Sequence, residues 1–341
     1  MTLESSLGIE HPVVLGPFGG VSSVALAVLV SEGGGLGSFG LYGYAPDRIA
    51  ETVSALRSGT TRPFAVNLWV PTGDEVSPAD VPWEPHAAVR ALFDEVGVAV
   101  PARPDAFLPD PEAQLDAVIA ARPAVLSTVF GVLSPDRVEA VHAAGIRLIG
   151  TATTVEEAVA VAESGADAVV ATGSEAGGHR VSWLRPAEES LVGTFALVPQ
   201  VVDAVDIPVI AAGGIADRRG VAAARALGAD GVQVGTAFLR TRQSAAPDAH
   251  RAAIAMPHRT TLTRAMSGRL ARGIPNRALR TLESAPVLPF PAQNWLTGRF
   301  RAEASAQDRG DLLSLWAGQA AALAHLDDAH DVLAELVAGL R

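Results

Sequence analysis

The chain has 341 residues, a length that an α/β barrel often occupies as one domain. With 49% hydrophobic and 18% charged residues it has a globular composition, and no apolar run reaches the ~18 residues of a membrane helix. The net charge of −11 disfavours nucleic acid as a partner, because phosphate binding needs a basic surface. All 26 basic residues are arginine and cysteine is absent, which excludes catalytic lysines, thiol nucleophiles, disulfides and cysteine-ligated metals.

The apolar stretch "VSSVALAVLV" (21–30) lies close to the start of the chain. It follows a loop and lacks a basic leader, so it is typical of an ordinary helix rather than of a signal peptide. The cytoplasm is therefore the expected compartment. For the assembly of the protein, the sequence leaves a homodimer open.

Eight short β-like runs alternate with helical patterns along the chain. The helical patterns, such as 134–145, 154–166 and 217–230, begin with a capping residue and reach a glycine at or near their end. Continuous apolar strands in a β-then-α order indicate parallel pairing buried on both faces. Eight such units favour an α/β fold of the closed (β/α)8 TIM-barrel type, with an open doubly wound sheet as the alternative. The predicted strands are 12–16, 35–40, 63–69, 124–130, 146–152, 168–173, 208–214 and 231–238.

Two segments interrupt this alternation. Residues 70–123 are proline-rich and predict a loop before a helix near 85–97, whereas residues 259–280 follow the last strand and predict a helix. The final stretch, 311–340, has an amphipathic helical pattern. We therefore expect a barrel over 1–240, a small, mainly helical subdomain covering its mouth over 241–309, and a C-terminal helix over 310–341 that packs back on the barrel.

Glycines are concentrated where the predicted strands end, and in a barrel the carboxyl ends of the strands carry the function. Gly213 and Gly214 follow the seventh strand, and Gly235 and Thr236 lie at the end of the eighth. Loops at these two positions commonly bind phosphate through backbone N–H groups, which glycine lets approach closely. Without lysine, phosphate must be held by backbone, hydroxyl or arginine. The alternative is that these glycines only form tight turns.

Two amides interrupt apolar strands. Asn67 ends the third predicted strand, and Gln233 lies within the eighth. A buried amide must find hydrogen-bond partners. Asn67 therefore either caps a local loop or binds a polar group in the barrel mouth, and Gln233 could meet the edge of a heteroaromatic ring.

His179 follows the sixth strand through the sequence "EAGG". A lone histidine is usually structural, and a metal site has no support because no second ligand stands at metal-binding spacing. Its place at a strand end favours an acid–base or hydrogen-bonding role, with Glu175 either in a salt bridge or orienting the ring. The other histidines lie in loops or on helix faces where no special role is needed: His11, His86, His142, His250, His258, His325 and His330.

Several motifs, taken together, resemble the nitronate monooxygenases, formerly called 2-nitropropane dioxygenases. They are "GSEAGGHR" (173–180), "AAGGIAD" (211–217), "VQVGTAF" (232–238) and "SGRLARGIPNRALR" (267–280), supported by "GPFGG", "PFAVNLW" and "LWAGQAA". The likeness covers nearly the whole chain and is weakest in 70–123 and 281–309.

The resemblance implies a (β/α)8 barrel, non-covalent FMN, and oxidation of alkyl nitronates by O2. Because a nitronate is already a carbanion equivalent, the chemistry needs no strong base. His179 would be the active-site histidine, orienting the nitro oxygens and able to take the α-proton of a neutral nitroalkane. The implied flavin contacts are Gly16, Pro17, Phe18, Asn67, Thr172, Gly177, Gly178, Gly213, Gly214, Gln233, Gly235 and Thr236.

This sequence departs from the family pattern at several positions. Thr172 stands where the family often has glutamine, and Val181 stands where it usually has glycine. The pocket tyrosines and the lysine of some members also have no counterpart. These departures concern the particular substrate more than the flavin.

Two alternatives on the same scaffold are flavin-dependent enoyl-acyl-carrier-protein reductases and NAD(P)H:quinone reductases. The glycine-rich stretch 33–40 precedes and enters a strand rather than opening a helix, so it is no nicotinamide fingerprint. A flavin-binding paralogue without turnover is a further alternative, as is a non-flavin phosphate-binding barrel.

Overall fold

The computed structural model of the chain describes residues 2–256 and 259–341, so His258 lies outside the described residues. Parallel strands form the centre of the molecule and a small antiparallel sheet lies beside it. The strands of the described chain are β1 (Val13–Leu15), β2 (Gly37–Gly40), β3 (Phe64–Trp69), β4 (Val125–Val129), β5 (Arg147–Ala152), β6 (Ala168–Thr172), β7 (Gly178–His179), β8 (Val209–Ala212), β9 (Gly231–Val234), β10 (Thr261–Thr263) and β11 (Ala271–Gly273).

The eight-stranded parallel sheet of the described chain closes into a barrel, which confirms the predicted (β/α)8 fold. Its order is β1-β9-β8-β6-β5-β4-β3-β2. The circle is completed beside β2, where the Leu15 N–H donates to the Leu36 carbonyl and the Leu36 N–H donates to the Val13 carbonyl, both at 2.9 Å. This closure excludes the open doubly wound sheet.

Helices surround the barrel and fill the connections between its strands. The three helical patterns quoted above are confirmed, and Thr154 and Asp217 cap two of these helices through their side chains. The helices of the described chain are α1 (Leu3–Leu7), α2 (Val24–Glu32), α3 (Pro46–Gly59), α4 (Ala87–Val96), α5 (Pro111–Ala121), α6 (Pro135–Ala143), α7 (Val155–Glu163), α8 (Thr194–Ala204), α9 (Arg218–Ala226), α10 (Thr236–Leu239), α11 (Asp248–Ala255), α12 (Arg277–Glu283), α13 (Ala292–Ala306) and α14 (Ala329–Ala338).

The barrel interior has an apolar layer and a polar layer. Residues such as Ala65, Val125 and Val170 form one buried cluster, to which Leu3 and Leu7 of α1 also belong. Side chains two positions further along a strand face the same side. Those positions carry polar groups: Asn67, Ser127, Thr151, Thr172 and Gln233. The polar layer therefore lies towards the carboxyl ends of the strands.

The last barrel strand is shorter than predicted. It ends at Val234, because Gly235 has φ −107° and ψ −69° and the chain then turns into α10. The predicted helix near 85–97 is confirmed as α4, whereas α5, capped by Asp110, was not predicted.

The predicted helix over 259–280 is wrong. Most of this segment is a hairpin of β10 and β11, which reverses at Gly268 with φ +88°, and α12 begins at Arg277. β11 also pairs antiparallel with β7, so that Ala271 lies opposite His179. The residues here favour a helix, but pairing with a strand about ninety positions earlier outweighs that preference. Local propensity cannot predict such distant pairing.

The tail is helical over a shorter stretch than predicted. Only α14 is a regular α-helix in the described part of 310–341, and it packs on α2 and α9. The preceding residues are extended or form single 3₁₀ turns, because Trp316 pairs with Gly273 at the barrel mouth. No helix in the described ranges is both long and apolar enough to cross a bilayer. The three-part division of the chain stays a prediction.

Candidate active site

The residues singled out from the sequence come together at the carboxyl end of the barrel. Strand β3 carries Asn67, β6 ends in Thr172, and β9 carries Gln233. The turns after β1, β8 and β9 supply Gly16–Phe18, 213–214 and 235–236. The short strand β7 holds Gly178 and His179 at the same end, paired to β11.

The glycines after β8 and β9 leave backbone donors free. Gly213 and Gly214 have φ values of +100° and +76°, which residues with a side chain rarely adopt. Among the described residues, the backbone N–H groups of Gly213, Gly214 and Gly235 have no hydrogen-bond acceptor. Gly213 and Gly235 are half-buried, where N–H groups are normally paired, and Gly214 is exposed. Free donors on neighbouring turns suit an anionic ligand.

The turn after β1 packs against the turn after β9. The Gly16 N–H donates to the Val234 carbonyl at 2.8 Å. A Cβ atom at Gly235 would lie 3.4 Å from Cε1 of Phe18, so the phenyl ring borders the space above this glycine. Ser22 fixes the turn by donating to the Phe18 carbonyl at 2.8 Å.

The tail of the chain packs against Gly177 and Thr236. A Cβ atom at Gly177 would lie 2.5 Å from backbone atoms of Ala317 and Gly318. The hydroxyl of Thr236 accepts a hydrogen bond from the Gly318 N–H at 3.0 Å. The motif "LWAGQAA" therefore packs between the turns after β6 and β9. A side chain at position 177 would collide with its backbone, so glycine is needed there.

The polar layer of the barrel offers unpaired groups to a ligand. Asn67 is buried, and its amide donates to the Ser127 hydroxyl at 2.9 Å and to the Ser127 carbonyl at 3.2 Å. The hydroxyl of Thr172 is buried and has no partner in the described chain. The Gln233 side chain is partly exposed and makes no hydrogen bond to any described residue.

His179 lies in an aromatic enclosure beside this layer. Its ring centroid is 5.0 Å from that of Trp69 and 5.6 Å from that of Trp316. Its Nε2 atom is 2.8 Å from the Ser267 hydroxyl, which in turn donates to the Arg269 carbonyl at 3.1 Å. Since that hydroxyl has one proton, the chain of bonds assigns Nε2 as the protonated nitrogen of His179. Nδ1 has no partner among the described residues.

Burial, together with the positive charges of Arg269 and Arg301, lowers the pKa of His179 to about 3. The ring is therefore neutral at physiological pH. Arg301 donates to the Asn294 side chain at 2.7 Å, and no carboxylate of the described chain lies within 4.0 Å of it. Arg301 thus adds positive charge to the field at a neutral histidine, and such a field favours a small anion.

Arg269 connects the proline-rich insertion, residues 70–123 after β3, to the site. Its guanidinium donates to Thr72, Asp74 and Glu75 at 2.5, 2.6 and 2.7 Å. It also lies between two aromatic rings, 4.4 Å from the Phe130 centroid and 4.1 Å from that of Phe290. The segment after β3 is thereby held against the wall of the histidine enclosure.

Glu175 does not orient His179, contrary to the expectation from the sequence. Its carboxylate accepts from the Thr194 N–H and hydroxyl, both at 2.9 Å, and so caps the first turn of α8. A carboxylate at a helix N-terminus is stabilised by the free N–H groups and the helix dipole, and this role competes with pairing to the histidine. Ser267 takes the place assigned to Glu175.

Arginines brace the loop that carries the histidine. Arg180 is almost fully buried and donates to the Gly173 carbonyl at 2.6 Å and the Thr172 carbonyl at 3.0 Å. Arg272 donates to the Ser174 carbonyl at 2.9 Å. The residue that follows the histidine thus fixes the end of β6.

Sequence reasoning missed several residues of the enclosure. Ser267 and Arg269 lie in a segment predicted to be helical, and Arg301 lies on α13, far along the chain. Trp69 and Trp316 belong to motifs that carried the resemblance but were given no role. The only indication in the sequence that these two residues line the site was that they are aromatic and lie within the motifs.

Comparison with known proteins agrees with this geometry. The family model for nitronate monooxygenase matches residues 2–339. A nitronate monooxygenase from Pseudomonas aeruginosa is 41% identical, with 98% of this chain and 97% of that protein covered. The structure of nitroalkane oxidase from Streptomyces ansochromogenes matches with a TM-score of 0.83 and 36% identity, covering 97% of both chains. FabK from Thermotoga maritima matches with a TM-score of 0.77 and 28% identity, over 99% of this chain and 96% of that one. The chain therefore belongs to the nitronate monooxygenase family, whose members are flavin-dependent oxidoreductases.

Proposed function

We propose that the protein oxidises alkyl nitronates with O2, giving a carbonyl compound and nitrite, and uses FMN as its flavin. The observation that carries the proposal is a neutral histidine with a free Nδ1, in the positive field of an arginine that has no anionic partner among the described residues. Family membership supplies the flavin and the reaction class. The choice of FMN over other flavins, and the role of each residue, are our inference.

The residues present fit a flavin mononucleotide. The free N–H groups of Gly213, Gly214 and Gly235 suit a terminal phosphate, and the chain has no lysine to replace them. The unpaired Thr172 hydroxyl and the free Gln233 amide suit the polar edge of an isoalloxazine ring. A buried hydroxyl without a partner is costly, so its presence argues for a ligand that completes it. Bound there, the flavin would accept electrons from the substrate and pass them on to O2.

The charge of the site favours an anionic substrate. The same positive charges that contribute to the low pKa of His179 attract a nitronate, which carries a full negative charge. A neutral imidazole adds no charge of its own. Its Nδ1 can accept the α-proton of a neutral nitroalkane, while Nε2 stays bonded to Ser267.

Aromatic rings flank the partly exposed imidazole of His179. Trp69 packs edge-on to the imidazole, and Phe130 lies 4.7 Å from Trp69, centroid to centroid. Where these rings replace water, the attraction between a nitronate and the arginine charges is stronger. The protein residues thus bind and orient the substrate.

The reductase alternative has less support. FabK is a more distant match than the nitroalkane oxidase, both in TM-score and in identity. We infer small-molecule partners only, the nitronate and O2. The cytoplasmic location and a homodimer stay predictions, which fractionation and light scattering can test.

Two measurements test the proposal. Oxygen uptake and nitrite release should occur with an alkyl nitronate in the absence of any nicotinamide. Heating the purified protein should release a flavin that mass spectrometry identifies as FMN. Release of FAD would overturn the cofactor assignment, and absence of nitronate-dependent oxygen uptake would overturn the activity.

A further inference from the structure

A cavity of about 410 Å³ lies next to the histidine enclosure, on the side of the proline-rich insertion. This volume is in the range of ~300–1,000 Å³ that small-molecule sites occupy. Trp69 and Arg269 line the cavity, and both also border the enclosure of His179. The indole ring of Trp69 therefore borders both the cavity and His179.

The cavity wall is mainly apolar. Its lining includes Val70, Val76, Phe107, Leu108 and Phe290, together with several prolines. Such a surface gains free energy by covering an apolar ligand and offers few hydrogen bonds to a polar one.

The charges of the cavity disfavour an anionic occupant. Arg269 is the one cationic side chain among the described lining residues, and it is already paired with Asp74 and Glu75. Asp105 and Asp110 add negative charge at the exposed rim. A carboxylate tail or the pyrophosphate of a dinucleotide would meet acidic groups without a free cation.

We propose that this cavity is a specificity site that receives the apolar alkyl tail of the substrate, past Trp69, while the nitronate group lies at His179. The inference rests on the proposed function and extends it to a substrate class: medium-chain alkyl nitronates without a charged tail. Each buried methylene contributes about fourfold to binding, so kcat/KM should rise with chain length until the cavity is full.

The test uses the flavin-loaded enzyme with the nitronates of nitroethane and nitrooctane. In the unchanged protein, kcat/KM should be at least 10-fold higher for the octyl substrate. Leu108→Trp and, at the more exposed rim, Ala106→Phe place bulk in the cavity and should each lower the octyl-to-ethyl ratio about 10-fold. Leu184→Trp, at a 48% exposed leucine outside the lining, is the matched control and should keep the ratio.

A second measurement does not depend on turnover. Calorimetric titration with octanol should show binding that weakens about 10-fold in Leu108→Trp but not in Leu184→Trp. If nitroethane nitronate is not oxidised at all, the proposed function fails, and the octanol titration still decides whether the cavity binds an apolar chain. If the short nitronate is oxidised but the ratio does not depend on these variants, the tail site is wrong while the proposed function stands.

Discussion

The Nε2 atom of His179 lies 2.8 Å from the hydroxyl of Ser267, on a hairpin that pairs with the histidine strand itself. This contact fixes the ring orientation and the nitrogen that carries the proton. Replacing Ser267 by alanine should remove both constraints. We expect kcat for neutral nitroalkanes to fall about 10-fold, the magnitude of one lost hydrogen bond, with a smaller loss for nitronates.

The measurement is a pair of steady-state assays on Ser267→Ala, one with nitroethane and one with its nitronate. Flavin content should stay unchanged, because Ser267 contributes nothing to the glycine turns. Ser267→Thr keeps the hydroxyl and should recover most of the nitroalkane activity. Equal losses on both substrates would show that the serine supports the hairpin rather than the proton transfer.

Changing His179 to asparagine removes the proton acceptor and keeps a hydrogen-bond donor. A nitronate is already deprotonated, so its oxidation should remain measurable. Nitroalkane activity should fall by ~10²–10⁴-fold, the usual contribution of a general base. FMN content, read from the visible spectrum, should not change. If both substrates lose the same activity, the imidazole acts through position or electrostatics alone.

Gly235 tests the phosphate turn. It has no positive φ, and its Cβ direction points at the Phe18 ring across a gap of 3.4 Å. Gly235→Val should fill the space next to the free N–H groups and deplete bound FMN without unfolding the protein. Gly19→Ala, where a Cβ atom would meet nothing within 4 Å, is the neighbouring control and should keep its flavin. Full flavin occupancy in Gly235→Val would place the phosphate elsewhere.

Buried neutral histidines make stability depend on pH. Burial lowers the pKa of His250 to about 4, although its bond to the Trp316 carbonyl opposes the shift. The pKa of His179 is lowered to about 3, and both values lie below the ~6.5 of an unfolded histidine. The unfolded chain therefore binds more protons between pH 6.5 and 4, so the free energy of unfolding should fall as the pH is lowered through this range.

Urea denaturation at pH 7.5 and 5.5 measures this loss. His250→Gln should make the difference between the two pH values smaller, whereas His325→Gln, at an exposed histidine, should leave it unchanged. An unfolding free energy that rises towards pH 5.5 would contradict the buried neutral state of these rings.

Much of the fold follows from local patterns. Parallel barrel strands are apolar on both faces, so each of the eight strands appears in the sequence as a continuous apolar run. The glycines that follow the strands mark the carboxyl end of the barrel. Residues such as Asn67 and Gln233 stand out because an amide in an apolar run needs a partner. The structure brings these residues together at one end of the barrel.

The rest depends on contacts between distant parts of the chain. The segment around Ser267 contains helix-favouring residues, yet it forms a hairpin because β7 offers an edge to pair with. Glu175 is adjacent in sequence to the histidine loop, but α8 competes for its carboxylate. The charge of Arg301 acts on His179 from α13, and no sequence pattern near the histidine predicts this. Pairing partners of this kind are set by the tertiary fold.

The most direct test of the proposed activity is an anaerobic comparison of two electron donors on the purified flavoprotein. An alkyl nitronate should bleach the flavin absorbance at once, and admitting O2 should restore the yellow colour with release of nitrite. NADH at the same concentration should bleach it slowly or not at all. Rapid bleaching by NADH without any nitronate turnover would contradict the account and assign the enzyme to the reductases on this scaffold.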